Sequence, residues 1–201
     1  MNTPKIEIAQ PKLFTMGAVL IVSAYGLLLA VPIFASMLVV SLLKFGIMTL
    51  LVPSVAVVGT ALFLPVGLGN PYVARLLRPL TLNAGNNEAA VLVQLTLSPR
   101  IRSGLRALLE DADDLGYLSF SASELRFQGD SIKLSIPFDC IQEVRSQNVG
   151  LRGSFLYGRR IRVVVSGLPG IGSLEFAERS SWLLPSSKRI TKELCKRLSR
   201  S

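Results

Sequence analysis

Arg152, Arg159, Arg160 and Arg162 are the densest basic cluster of the chain and flank a predicted hairpin over 151–165. Arginines converging from a hairpin offer planar forks to phosphate oxygens. Beside an anionic leaflet each basic group is worth about 1 kcal/mol. They are therefore the candidate anionic-headgroup residues. A second reading makes them the wet side of a strand, because Arg160 and Arg162 alternate with Ile161 and Val163. Arg75 and Arg78 form a further pair just after a long apolar stretch and read as juxtamembrane charges. Lys188, Arg189, Lys192, Lys196, Arg197 and Arg200 read as the solvated side of a C-terminal helix.

Other chemistries are excluded by residue type. The chain has no histidine, which removes Ser-His-Asp and Cys-His triads and histidine-based zinc sites. Its two cysteines, Cys140 and Cys195, lie far apart and are expected to be reduced thiols. Asp111, Asp113 and Asp114 lack the spacing of a calcium loop. Gly167–Gly172 (GLPGIG) lies between two predicted strands and is a turn, not a phosphate loop. No nucleophile stands beside a base. The expectation is a non-enzyme with no cofactor and no metal. Nucleic acid is not an expected partner either, because the aromatic residues fall on apolar strand faces.

These residues sit in a chain whose charge is unevenly spread. Of its 201 residues 50% are hydrophobic and 17% charged, with a mean hydropathy of +0.48. Between Leu13 and Asn70 the only charge is Lys44, whereas residues 71–201 hold 19 basic and 12 acidic residues, a net +7. A bilayer core of roughly 30 Å needs about 20 apolar residues in a helix. The stretches 13–43 and 45–69 are long enough, so the expectation is a two-span transmembrane hairpin over 13–69. Its turn lies near 43–46, with Pro32 and Pro53 as kinks. Three short spans split at the prolines, or a cleaved signal peptide, are the competing arrangements. Lys5, Lys12, Arg75 and Arg78 flank the hairpin and outnumber Lys44 at its tip, which places both termini in the cytoplasm.

Residues 1–12 then form a cytoplasmic tail and 70–90 a connector. Residues 91–201 form a soluble domain. Val91–Leu97 reads as a strand. Ser98 and Pro99 open an inserted helix over 99–114, which Gly116 ends. From Leu118 the apolar period becomes two, around 118–120, 125–127, 132–136, 161–165 and 174–176, as in an antiparallel meander. Gly129-Asp130 reads as a hairpin turn needing positive φ. Ile190, Leu194 and Leu198 form one stripe of a C-terminal helix over 186–200.

Leu134–Val144 (LSIPFDCIQEV), followed by Gln147 and Leu151-Arg152-Gly153, resembles bacterial membrane-anchored PH-like and GRAM-like domains. The resemblance covers roughly Tyr117–Arg200. It implies a PH-like antiparallel β barrel or sandwich closed by a C-terminal helix. The fold class expected for the whole chain is an α-helical transmembrane hairpin followed by an α+β domain of that kind. The expected function is an integral protein of the bacterial inner membrane that presents a PH-like domain. That domain binds membrane lipid, through anionic headgroups, or a protein at the membrane surface. The alternative is an accessory or assembly subunit docked on a membrane protein partner.

Overall fold

The computed structural model describes residues 3–10, 13–27, 31–43, 46, 51, 54–55, 69–82, 90–102, 112–147, 159–181 and 183–199. Eight strands are present: β1 (Lys5–Ile8), β2 (Val91–Ser98), β3 (Asp114–Phe120), β4 (Glu124–Gly129), β5 (Ile132–Pro137), β6 (Ile141–Gln147), β7 (Arg160–Val165) and β8 (Ser173–Glu178). They join into one sheet in the order β1-β5-β4-β3-β2-β8-β7-β6, with every pair antiparallel. The helices are α1 (Met16–Leu27), α2 (Val31–Leu43), α3 (Asn70–Leu82) and α4 (Leu184–Leu198).

Alternation sorts the strands' side chains onto two faces. One face buries Val93, Leu95, Leu97, Leu118, Leu125, Phe127, Ile161, Val163, Leu174 and Phe176 in the main core. Helix α4 closes this core with Leu194 and Leu198 buried and Ile190 packed at the margin. It begins at Leu184 rather than at 186, with Pro185 in its first turn and no side-chain cap. On the other face a smaller core forms. Phe14 just before α1, Ala18 and Val19 from α1, and Val73 and Leu77 from α3 pack over Leu92 of β2 and Leu115 of β3.

This arrangement overturns the expected architecture. Among the described residues there is no helical hairpin set apart from an α+β domain; α1 packs on the sheet. Lys5–Ile8, expected in a tail, pairs with β5 and forms one edge of the sheet. α1 and α3 pack on that same sheet, so 70–82 is a helix and not a connector. The sheet is neither a closed barrel nor a two-sheet sandwich, because its linear order leaves β1 and β6 as free ends.

The transmembrane helices are overturned as well. Helix α1 has 12 residues and α2 has 13. At 1.5 Å per residue these reach about 18–20 Å, well short of a hydrocarbon core of roughly 30 Å. Among the described residues no helix is long and apolar enough to cross a membrane. The integral inner-membrane placement loses its basis, and with it the assignment of both termini to the cytoplasm. Pro32 is the second residue of α2 as described, Val31–Leu43. Lys44 and Pro53 lie outside the described residues.

Local readings change too. Ser98 ends β2, its bond to Pro99 is cis, and residues 99–102 are not helical. The remainder of the inserted helix, 103–111, lies outside the described residues. Gly116 is inside β3, opposite Gly129 of β4. Gly129 does not have positive φ. It is needed for clearance, because a Cβ there would lie 2.1 Å from Asp114 Oδ2.

Candidate functional site

The strand pairing disperses the arginine hairpin. Arg152 lies outside the described residues. Arg159 is exposed at the entry to β7. Arg160 is only 2% exposed, and its Nη1 donates to Glu175 Oε2 at 3.2 Å. Gln147 Nε2 donates to Oε1 of the same carboxylate at 2.8 Å. Arg160 thus supports the β6–β7–β8 seam. Arg162 is exposed, in register with Arg145 on β6 and Glu175 on β8. The period of two puts Arg160 and Arg162 on one face and Arg159 on the other. The described members of the cluster do not form one fork.

Arg75 and Arg78 lie one turn apart on the exposed side of α3, opposite the buried Val73 and Leu77. α3 lies beside α1. Tyr25 and Tyr72 meet with ring centroids 6.3 Å apart, and Gly69 approaches Val22. On α1 the residues Leu20 and Ile21 face outward, next to Ala18 and Val19, which are buried. On α2, Val31, Phe34, Met37, Leu38 and Leu42 are all exposed, Phe34 by 68% and Leu42 by 71%. Scattered apolar residues on a surface are ordinary, but five large ones exposed on a single helix form a patch of the kind that another phase or molecule covers.

A third feature was not read from the sequence. On the sheet face away from the main core, two polar rows run across β1, β5, β4 and β3. One is Glu7–Lys133–Gln128–Tyr117 and the other Lys5–Ser135–Arg126–Ser119. Between them lies a groove of about 280 Å³. Arg126 is bridged to Glu124, with both Nε and Nη2 2.5 Å from Oε1, and Ser135 donates to the other carboxylate oxygen. The Ser135 hydroxyl, with Arg126 second, holds the Glu124 carboxyl below its ordinary range. The row's end, Tyr117, has its hydroxyl 3.5 Å from the Ala74 carbonyl of α3, and burial pushes this phenol up.

The buried acids are occupied by backbone. Asp113 accepts from the N–H groups of Leu97, Ile101 and Arg102. Asp130 accepts from Leu13 and Phe14, tying the approach to α1 onto the β4–β5 turn. Asp114, 1% exposed, accepts from Ser131 N at 2.8 Å and Ile132 N at 2.6 Å, with Arg102 Nη2 3.5 Å from its other oxygen. Burial pushes its pKa up to about 6, against the pull of those N–H groups and Arg102. Asp113 and Asp114, expected in the last turn of a helix, lie before and at the start of β3. Among the described residues no group of His, Cys, Asp or Glu is arranged to hold a metal ion. Cys140 and Cys195 are half-buried and form no disulfide among the described residues.

No family model matches the chain, and neither a curated protein nor a solved structure matches it.

Proposed function

We propose that this chain is a non-catalytic binding module that rests on an anionic lipid surface through the outward sides of α1, α2 and α3. The observation that carries this reading is the set of exposed apolar residues on α2 together with outward Leu20 and Ile21 on α1, whose neighbour α3 carries Arg75 and Arg78. Apolar side chains with flanking cations suit the boundary between headgroups and acyl chains. Each fully buried Leu or Phe gains about 1.5–3 kcal/mol, and each cation near the surface adds about 1 kcal/mol. The likeness of 117–200 to membrane-associated PH-like modules is in keeping with this reading. So is the structural use of Asp113, Asp114 and Asp130, which leaves these acids with backbone partners instead of a substrate.

The test is flotation of the full chain, synthesised without cells in the presence of vesicles. Vesicles with one-third phosphatidylglycerol should float several-fold more protein than pure phosphatidylcholine. Arg75→Glu with Arg78→Glu should abolish that preference, and Phe34→Ser with Leu42→Ser should lower flotation on both. Equal flotation of all variants on both vesicles contradicts the proposal.

A second reading, docking as an accessory subunit on a protein partner, draws on β6. This is an end strand of the sheet, and a hollow of about 360 Å³ lies between Ile141 and Val144 of β6 and Leu198 of α4. Recovery of one specific membrane protein with the full chain, lost on Val144→Asp, would favour it.

A further inference from the structure

We propose that the groove between β1, β5, β4 and β3 binds a phosphate monoester, as a lipid headgroup or as a small soluble ester. The headgroup source rests on the lipid-surface reading; the groove's chemistry does not. Strands pair about 4.8 Å apart, so Lys5 and Arg126 stand on either side of Ser135, and Lys133 is two residues along β5 from it. Three cations thus surround one small residue. The serines leave the hollow that longer side chains would fill.

Two of the three cations already act on one protein acid: Arg126 is bridged to Glu124, and the Lys5 charge also bears on that carboxylate. Among the described residues no ion pair joins Lys133 to an acid. Glu7 lies opposite Lys133 in register yet forms no ion pair with it. Arg126 is held in one orientation by Glu124 through Nε and Nη2, which leaves Nη1 outside that bridge. The groove sets Lys5, Lys133 and Arg126 against Glu7 and the Glu124 that bridges Arg126, an excess of one positive charge. A solvated strand face explains exposed lysines, but not three cations, one of them an oriented guanidinium, around one hollow. A phosphate monoester brings three acceptor oxygens to three cations, where a diester brings two. A volume of about 280 Å³ holds a phosphate with a small polyol and no acyl chain. Tyr117, the strand neighbour of the groove's Gln128, has its hydroxyl beside the Ala74 carbonyl of α3, the helix that carries Arg75 and Arg78.

The experiment uses the full chain in two arms. In the first, glycerol 3-phosphate is titrated into protein held in neutral detergent, followed by calorimetry. In the second, vesicles carrying phosphatidic acid, a monoester, are compared with vesicles of equal charge carrying phosphatidylglycerol, a diester. The variants are Lys5→Gln with Lys133→Gln, and as control Lys188→Gln with Arg189→Gln on α4. Exposed lysines contribute little to folding, and an unchanged thermal midpoint verifies this. Each cation removed costs about fivefold, so the groove pair should bind phosphatidic acid vesicles roughly 30-fold more weakly, with under threefold loss on phosphatidylglycerol. Loss in both arms assigns the groove to any monoester, loss in the vesicle arm alone to a headgroup, and loss in the ester arm alone to a soluble ligand. No loss in either arm, or equal loss from the control pair, overturns the proposal. The lipid-surface reading then still stands if Arg75→Glu with Arg78→Glu abolishes flotation on anionic vesicles, and falls if it does not.

Discussion

Mild acid should stabilise this fold, and Asp114 is the reason. Its carboxyl is buried, and its pKa rises from 3.8 to about 6. The folded state therefore holds a proton that the unfolded chain has released between those values. Stability is greatest below the unfolded pKa and is lost as pH climbs through the folded one. The full difference, about two pH units at 1.36 kcal/mol each, is roughly 3 kcal/mol. Between pH 7.5 and pH 5 about half of it is recovered, on the order of 1 kcal/mol. For a chain of this length that corresponds to a midpoint higher by roughly 2–4 °C. The window is clean because the chain has no histidine. The groups facing Asp114 are Arg102 and the N–H groups of Ser131, Ile132 and Leu115. Thermal unfolding of the full chain in neutral detergent, followed by circular dichroism at constant ionic strength, measures the effect. Asp114→Asn keeps an acceptor for the two N–H groups and cannot ionise, so its midpoint should be flat across the window. A parent midpoint that falls on acidification, or an Asn variant that rises as much as the parent, would refute the argument.

Two further outcomes concern packing. Leu194→Asp places an unpaired carboxylate in the main core beneath α4 and should destabilise the fold by several kcal/mol, enough to remove its cooperative thermal transition. Gly129→Ala sets a methyl group against Asp114 Oδ2 and backbone of β5, and should cost about 1–3 kcal/mol, read as a lower urea midpoint with an unchanged slope.

Strand parity was legible in the sequence because it is local. Arg126, Lys133, Arg160 and Arg162 each alternate with apolar neighbours, so their face follows from a period of two. The groove was not legible, because it depends on pairing. Lys5 meets Ser135 only because β1, far away in sequence, adds to the edge at β5. Pairing also decides that Arg160 meets Glu175 and so separates it from the headgroup set. The acids hide for a similar reason: Asp113, Asp114 and Asp130 bond backbone N–H groups, and such partners leave no trace in residue types. Residues 70–90 read as a connector, yet Val73 and Leu77 of α3 recur at i, i+4 and both are fully buried.

The apolar run over 13–69 shows the deeper limit of reading hydropathy as topology. Hydropathy says which side chains leave water, not which phase receives them. Ala18 and Val19 are covered by protein, whereas Leu20 and Ile21, the next two residues, are exposed. No scale separates Val19 from Leu20. What separates them is helical geometry: successive residues turn by about 100°, so only part of α1 can face Val73, Leu77, Leu92 and Leu115. The rest must find another apolar environment, and α2 presents only exposed side chains among those described. A lipid surface can cover α1 and α2 at a depth their length of about 18–20 Å allows when they lie flat. Arg75 and Arg78, outward on the neighbouring α3, then stand where anionic headgroups would be. The expected spans and helices α1 and α2 therefore share residues; on the proposed reading those residues rest at the edge of the hydrocarbon and do not cross it.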